Sequence, residues 1–535
     1  MFYTEPIPEP APPLDKAEIA LIVVLAFAWM LPGLFGHEPW KPDEAYNFGL
    51  VRHMMANGNW LTFHLPDEAA FASPPLFYMT AALFGKLFTP LFSLPDAMRL
   101  ATGFYMGLSL VFIALAGRTL YGMGRYTVLI LAGSLGLMGH AHQLIPDSAL
   151  FAGCAVAIYG LSLIGKKAIR GGLLTGTGIG IGFMAKGVIA IAYFLPVLLF
   201  LPFVARRGAI AFIAAALLSL LPWGIWPYFL HLHHPALFAS WWKSSLGPSL
   251  GLAIDSRRNP LFYLGVLPWF AWPTLPLAAL SLWQARKRLG EIETLLPLAI
   301  FIVMLVALSL TKTARELYAM PMLLPLALLA TSSMVRLRRS AASAFNWFGI
   351  LTFGMMALIF WTGWIALMTG HPHYLAARIH HYHPDFIAHF GFVPFSIALA
   401  ITLLWITLIS RTQHNGERAV INWASGVVMV WAILMTLWLP FLDSVKSYKE
   451  MFMSMKASLP GKYGCIESRH LGDAQRAMLD YYLGIDTKRN GHCELILIQT
   501  ISSNKHRPKG LRKLWEGARA GDRKERYWLY EKGAE

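Results

Sequence analysis

Charge is scarce in this chain. Asp, Glu, Lys and Arg make up 14% of its 535 residues, against about 25% in a soluble domain. Cysteine is scarce too: three residues are too few for a disulfide-dense scaffold or a cysteine-built metal domain. Acids are the rarer sign, 29 against 45 Lys and Arg, for a net charge of +16. There is no internal repeat and no low-complexity tract, which counts against a solenoid and against a transporter built from inverted repeats. The opening MFYTEPIPEPAPPLDKAE lacks a basic n-region and a small-residue cleavage site, so the first apolar segment is expected to stay as a membrane helix.

What is abundant is apolar. Hydrophobic residues make up 56% of the chain and the mean hydropathy is +0.50, the composition of an integral membrane protein. The 19 Trp and 19 Tyr suit interfacial anchoring. The basic excess lies in short loops between apolar runs and in the C-terminal tail, where it fixes topology or meets lipid phosphates. Membrane lipids, not nucleic acid, are the partners expected from it.

Thirteen apolar runs are long enough to be read as spans: 18–36, 97–117, 126–145, 147–165, 171–185, 187–204, 209–230, 261–283, 294–310, 317–334, 345–369, 391–410 and 421–441. A further run, 75–92, contains Pro75, Lys86 and Pro90 and reads as a helix lying on the membrane surface. With 75–92 interfacial, one set of loops gathers Arg118, Lys166, Lys167, Arg206, Arg207, Lys287, Arg338 and Arg411 with few acids, and becomes the cytoplasmic side. The N-terminus is then cytoplasmic. Residues 1–441 form the membrane domain, with 37–96 as a long outer loop carrying interfacial helices. Residues 442–535 form a polar outer domain that mixes helical and strand-like patterns, a small α/β unit. Cys465 and Cys493 lie in it and can pair in an oxidising compartment.

The outer face collects the chemistry. Asp43 and Glu44 stand side by side after the first span, followed by Tyr46. Asp147 and Lys186 sit at helix mouths; Arg257 and Arg258 border a later loop; Lys312, Arg315, Glu316 and Tyr318 occupy TKTARELY. Ionised groups near a bilayer are costly and usually functional. Lys and Arg can hold the phosphate of a lipid carrier. A carboxylate can take a proton from an attacking hydroxyl. Together they describe group transfer from a lipid phosphate.

DEAYNFGLVRHMMANGNW, FASPPLFYMTAALFGKLF, PDSALF, MAKG and TKTARELYAMPMLLPLALL, in that order over roughly the first 335 residues, resemble the polyprenyl-phosphate-sugar transferases of the GT-C fold. The nearest groups are the protein O-mannosyltransferases and the aminoarabinose lipid A transferases. The resemblance implies an inverting sugar transfer from an undecaprenyl-phosphate donor at the periplasmic face of a bacterial inner membrane, with a lipid, glycan or protein as acceptor. It assigns Asp43, with Glu44 beside it, and Asp147 to catalysis. It assigns Tyr46, Lys186, Arg257, Arg258, Lys312, Arg315, Glu316 and Tyr318 to substrate. Ala72-Ser73 replaces the Glu-Lys pair that the aminoarabinose enzymes carry before the double proline. The sequence makes no cofactor certain, and a divalent metal stays open.

Each residue also has a plain structural reading. Asp43 and Glu44 can cap a helix or pair with Lys41 and Arg52; Asp147 can sit on a helix dipole; Lys186 can snorkel; Lys312, Arg315 and Glu316 can form an ordinary loop ion-pair cluster. The histidines at 371, 373, 380, 381, 383 and 389 read as a wet interfacial loop. Two other classes compete: a lipid or solute transporter, which calls for ionisable residues at mid-helix, and a non-catalytic scaffold, for which Asp43→Asn is silent.

Overall fold

A computed structural model describes residues 16–62, 74–204, 208–249, 259–311, 313–333, 339–411, 418–489, 491, 493–501, 511–522 and 524–532. Ala72, Ser73, Arg257, Arg258 and Lys312 lie outside the described residues.

Every one of the thirteen apolar runs carries helix. Among the described residues seven helices are long and apolar enough to cross a membrane, eight if Phe262–Phe270 and Thr274–Gln284, bent by 101° at a break, count as one span. The protein is therefore polytopic. Other runs are short or interrupted, as in Gly124–Ala132 and Leu135–His140, which part at Gly133. The helix Leu76–Phe88 has 13 residues, about 20 Å of rise, too short for the roughly 30 Å hydrocarbon core. It buries Phe77, Tyr78, Ala81, Ala82 and Gly85 and leaves Leu83 and Leu87 exposed.

The Gly-rich helix Ala168–Lys186 is wedged between Asp147–Ser162 and Ala209–Leu220. A Cβ at Gly176 would lie 2.0 Å from the Ala216 carbonyl oxygen, and one at Gly178 2.4 Å from the Ala157 nitrogen. Small residues let the backbones touch, and this clamp fixes the height at which Lys186 emerges.

The segment between the helix Lys16–Met30 and the helix Asp43–Asn57 is held by a buried ion pair. Arg99 donates from Nε to Glu44 Oε1 at 2.6 Å and from Nη1 to Asp96 Oδ1 at 2.7 Å, and its Nη2 reaches the His37 and Glu38 carbonyls at 2.8 and 2.9 Å. Glu44 also accepts from the Trp40 and Leu144 amides. Pro42 precedes the helix, where its missing N–H costs nothing, and the two acids of the first turn suit the helix dipole. Gly58, at φ 64°, ends it in the left-handed conformation.

The tail contains a five-stranded sheet. β1 (Ile466–Arg469), β2 (Thr487–Lys488), β3 (Leu495–Ile501), β4 (Leu511–Gly517) and β5 (Glu525–Lys532) stand in the order β2-β1-β3-β5-β4, parallel among the first three and antiparallel beyond. Helices Lys449–Lys456 and Asp473–Leu483 accompany it. This is the mixed α/β unit read from the sequence, with β2 and β4 added. Both are edge strands, and the alternation of LRKLWEG is diluted by charge, as edges tend to be. Cys465 and Cys493 are disulfide-bonded. The tail grips the helix Asp43–Asn57: Asp473–Leu483 packs on it, with Tyr481 edge-on to Phe48 at 4.7 Å and Arg52 bonded to Asp480.

Candidate active site

The adjacent acids part company. Glu44 turns inward; its side chain and that of Arg99 are 2% and 1% exposed. Burial pushes its carboxyl pKa up, but the Arg99 and His37 charges and the hydrogen bonds from Arg99 and the Trp40 amide win and hold it below the ordinary carboxylate range. Asp43 turns outward at 30% exposure and takes Arg315 in a two-pronged pair, 3.0 Å from Nη1 to Oδ1 and 2.5 Å from Nη2 to Oδ2. The Asp43 carboxylate pushes the Arg315 guanidinium further toward its charged form.

A second pair faces the first. Asp147 opens the helix Asp147–Ser162 and Lys186 closes Ala168–Lys186; Lys186 Nζ is 2.8 Å from Asp147 Oδ2, at 21% and 5% exposure. Burial lowers the Lys186 pKa and Asp147 more than restores it, so the ammonium stays charged. Tyr318 joins the pairs: its ring centre is 5.4 Å from Lys186 Nζ and 5.8 Å from Arg315 Cζ. Two cations thus flank one phenol, each with a carboxylate behind it. Asn47 supports the Asp43 end, donating to the Asp43 carbonyl at 2.8 Å while accepting from the Tyr78 hydroxyl at 2.8 Å.

An apolar cavity of about 520 Å³ is lined by Leu61, Met79, Met184, Trp223, Trp226 and Phe229 among others. Met184 belongs to the helix Ala168–Lys186, which ends in Lys186.

The whole chain was compared with known proteins. No family model matches. The crystal structure of ArnT from Cupriavidus metallidurans bound to undecaprenyl phosphate superposes with a TM-score of 0.68 over 98% of this chain and 100% of that one, at 15% identity. The chain has the GT-C fold of ArnT. The apo ArnT structure from the same organism gives 0.63 over 97% and 99% at 16% identity. Two curated relatives are undecaprenyl phosphate-alpha-4-amino-4-deoxy-L-arabinose arabinosyl transferases. That of Yersinia enterocolitica is 28% identical over 323 residues, 53% of each chain. That of Sodalis glossinidius, numbered 1, is 29% identical over 291 residues, 50% of each chain. The chain spans about half the length of the curated relatives it matches.

On the ArnT fold, the structure brings together Asp43, Asp147, Lys186, Arg315 and Tyr318 from four separate elements. It sets Glu44 beneath them as an anchor. Glu316, exposed, begins the 3₁₀ turn Glu316–Met322 beside them, and Tyr46 packs half-buried against the core. Arg257, Arg258 and Lys312 lie outside the described residues. Sequence reasoning missed Arg99. The signal was there: a charge two residues inside an apolar run needs a buried acid. It also missed His140, whose ring stacks on Phe270 and which feels the charges of Asp147, Asp43 and Glu316.

Among the described residues no three of His, Cys, Asp and Glu gather as a metal site. Asp43 and Asp147 each hold a protein cation where a metal would stand. The His371 and His373 rings meet at a tilt of 58° with centres 4.2 Å apart, and His383 faces Glu450 at 3.6 Å.

Proposed function

We propose that the chain is an integral-membrane inverting glycosyltransferase that moves a sugar from an undecaprenyl-phosphate donor to an acceptor at the outer membrane face. The observation that carries this is the meeting of Lys186 and Arg315 on Tyr318, with Met184 of the helix that ends in Lys186 lining an apolar groove. The polyprenyl tail lies in the groove and its phosphate between the two cations. The names of the curated relatives specify an aminoarabinose carried on undecaprenyl phosphate, and one ArnT structure holds undecaprenyl phosphate itself.

As the sugar leaves, the bond from its anomeric carbon to the phosphate oxygen breaks and the electron pair stays on the phosphate. Lys186 and Arg315 stabilise that charge. The acceptor oxygen attacks from the opposite face. An acceptor hydroxyl gives its proton to Asp43, released from Arg315 as the phosphate takes over the guanidinium. An acceptor phosphate needs no base, and Asp43 then orients it. Glu44 positions Asp43 without touching substrate.

The thirteen-span topology, the division at 441/442, the cytoplasmic N-terminus and the periplasmic tail belong to the same proposal. The Cys465–Cys493 disulfide supports an oxidising compartment for the tail. The test is transfer of label from undecaprenyl-phosphate sugars to envelope material in membranes carrying wild type or Asp43→Asn. Transfer that requires Asp43 supports the assignment. Transfer indifferent to the substitution overturns Asp43 as the catalytic residue.

A further inference from the structure

A second cavity, about 900 Å³, lies where the tail meets the membrane domain. It is built from pieces far apart in sequence: Lys41, the helix His373–Tyr382, Val445 and Lys446 after the last apolar helix, and Arg519, Ala520, Gly521, Asp522 and Lys524 between β4 and β5. Five cations line it: Lys41, Arg378, Lys446, Arg519 and Lys524. Asp522 is the acid among the lining residues.

The pairing is uneven. Asp522 and its neighbour Glu525 serve Lys41 and Arg519. Among the described residues no carboxylate lies within 4 Å of Arg378, Lys446 or Lys524. Arg378 donates from Nη1 to the Tyr374 hydroxyl at 3.1 Å. The Lys446 ammonium rests 4.6 Å from the centre of the Trp40 ring, where burial pulls its pKa down although Glu44 opposes this. Arg378, Lys446 and Lys524 are solvent-exposed and converge on one cavity, and a concentration of positive charge in a concave site draws anions.

The frame is fixed rather than adventitious. Arg519 Nη1 donates to the Val445 carbonyl at 3.1 Å. Gly521, at φ +70°, lies so close to Tyr382 that a Cβ there would come within 3.1 Å of its ring. Tyr374, Tyr382 and Val445 add apolar wall beside the charges.

We propose that this cavity is a second anion site that takes a phosphate-bearing group of two or more negative charges. It shares no cation with the Lys186–Arg315 cluster. It rests on cavity shape and charge alone, so it stands or falls apart from the transferase assignment.

The test uses the full chain in phosphatidylcholine nanodiscs, titrated calorimetrically with inorganic pyrophosphate. A parallel arm uses detergent-solubilised protein with phosphatidic acid, read by native mass spectrometry. Wild type is expected to hold at least one probe. Arg378→Gln/Lys446→Gln/Lys524→Gln is expected to bind at least tenfold more weakly. Lys524→Glu alone, at an exposed position, is expected to lose at least threefold, so a misfolded triple variant leaves the question decidable. Binding of both probes identifies free phosphate chemistry, and binding of phosphatidic acid alone identifies a lipid headgroup. The site is overturned if wild type holds neither probe, or if Lys524→Glu and the triple variant bind as wild type.

Discussion

Replacing Glu44 by Ala separates anchoring from chemistry at the acidic pair. The substitution removes the Oε1 that Arg99 reaches at 2.6 Å and the Oε2 that the Trp40 amide reaches at 3.0 Å. Arg99, 1% exposed, keeps Asp96 and two carbonyls but loses its buried counter-charge. Breaking a buried pair from one side costs about 3–5 kcal/mol, and the orphaned Trp40 and Leu144 amides are part of that figure. Glu44→Gln should cost less, because one oxygen survives for Arg99 while its NH₂ faces a backbone donor. Asp43→Asn, in a half-exposed pair with Arg315, should cost no more than about 1 kcal/mol. Unfolding in mixed micelles with rising SDS, followed by tryptophan fluorescence, ranks the three. The expected order of stability is wild type and Asp43→Asn together, then Glu44→Gln, then Glu44→Ala. Transfer is expected to be abolished in Asp43→Asn despite its full fold. Glu44→Ala as stable as wild type would refute the anchoring role.

Lys186→Ala should lower kcat/KM for transfer about 10²–10³-fold through lost charge stabilisation, and Arg315→Lys should fall well below wild type because an ammonium cannot repeat the two-pronged geometry; steady-state kinetics with a labelled donor reads both. Asp443, which accepts from Trp40 Nε1 and the Glu38 amide on a single oxygen, has its pKa raised from 3.8 to about 6 by burial. The folded state therefore binds this proton more tightly, and ionisation costs stability as pH rises through that window. Asp443→Asn keeps the accepting oxygen, so it should be more stable than wild type above pH 6, by about 1–3 kcal/mol, and should flatten the fall between about pH 4 and 6 in the same SDS assay. The Glu44 carboxyl has the opposite sign: its contribution is full above its ordinary 4.5 and lost at lower pH as acid passes its depressed value. Cys465→Ser opens a loop with a sequence separation of 28 and should destabilise the tail by about 3–4 kcal/mol, measured by protease resistance of the tail.

Much of the architecture was legible because apolar runs have one use. Thirteen of them were helical in the structure, but hydropathy could not say where a helix breaks. The 101° bend after Phe270 comes from Pro268 and Pro273 acting with packing against distant helices. In the site, Asp43, Asp147, Lys186 and Arg315 were readable as charges at helix ends. Their pairing was not, because nothing in sequence says that Arg315 reaches back 272 positions to Asp43. The division of labour between Asp43 and Glu44 was equally hidden. Adjacent residues on a helix point about 100° apart, and only the burial of Arg99 decides which acid faces inward.

The grip of the tail on the helix Asp43–Asn57 has a consequence for biosynthesis. The candidate site residues Asp43, Asp147, Lys186, Arg315 and Tyr318 have all been translated by residue 318. Yet the segment around Asp43 is tied to residues made far later: Glu38 to Asp443 across 405 positions, Lys41 to Asp522 across 481 and Arg52 to Asp480 across 428. A ribosome that stalls or stops after the last apolar helix releases a chain with every reactive group and none of these ties. None of the ties that hold the segment around Asp43 to the tail exists until the tail itself has been made.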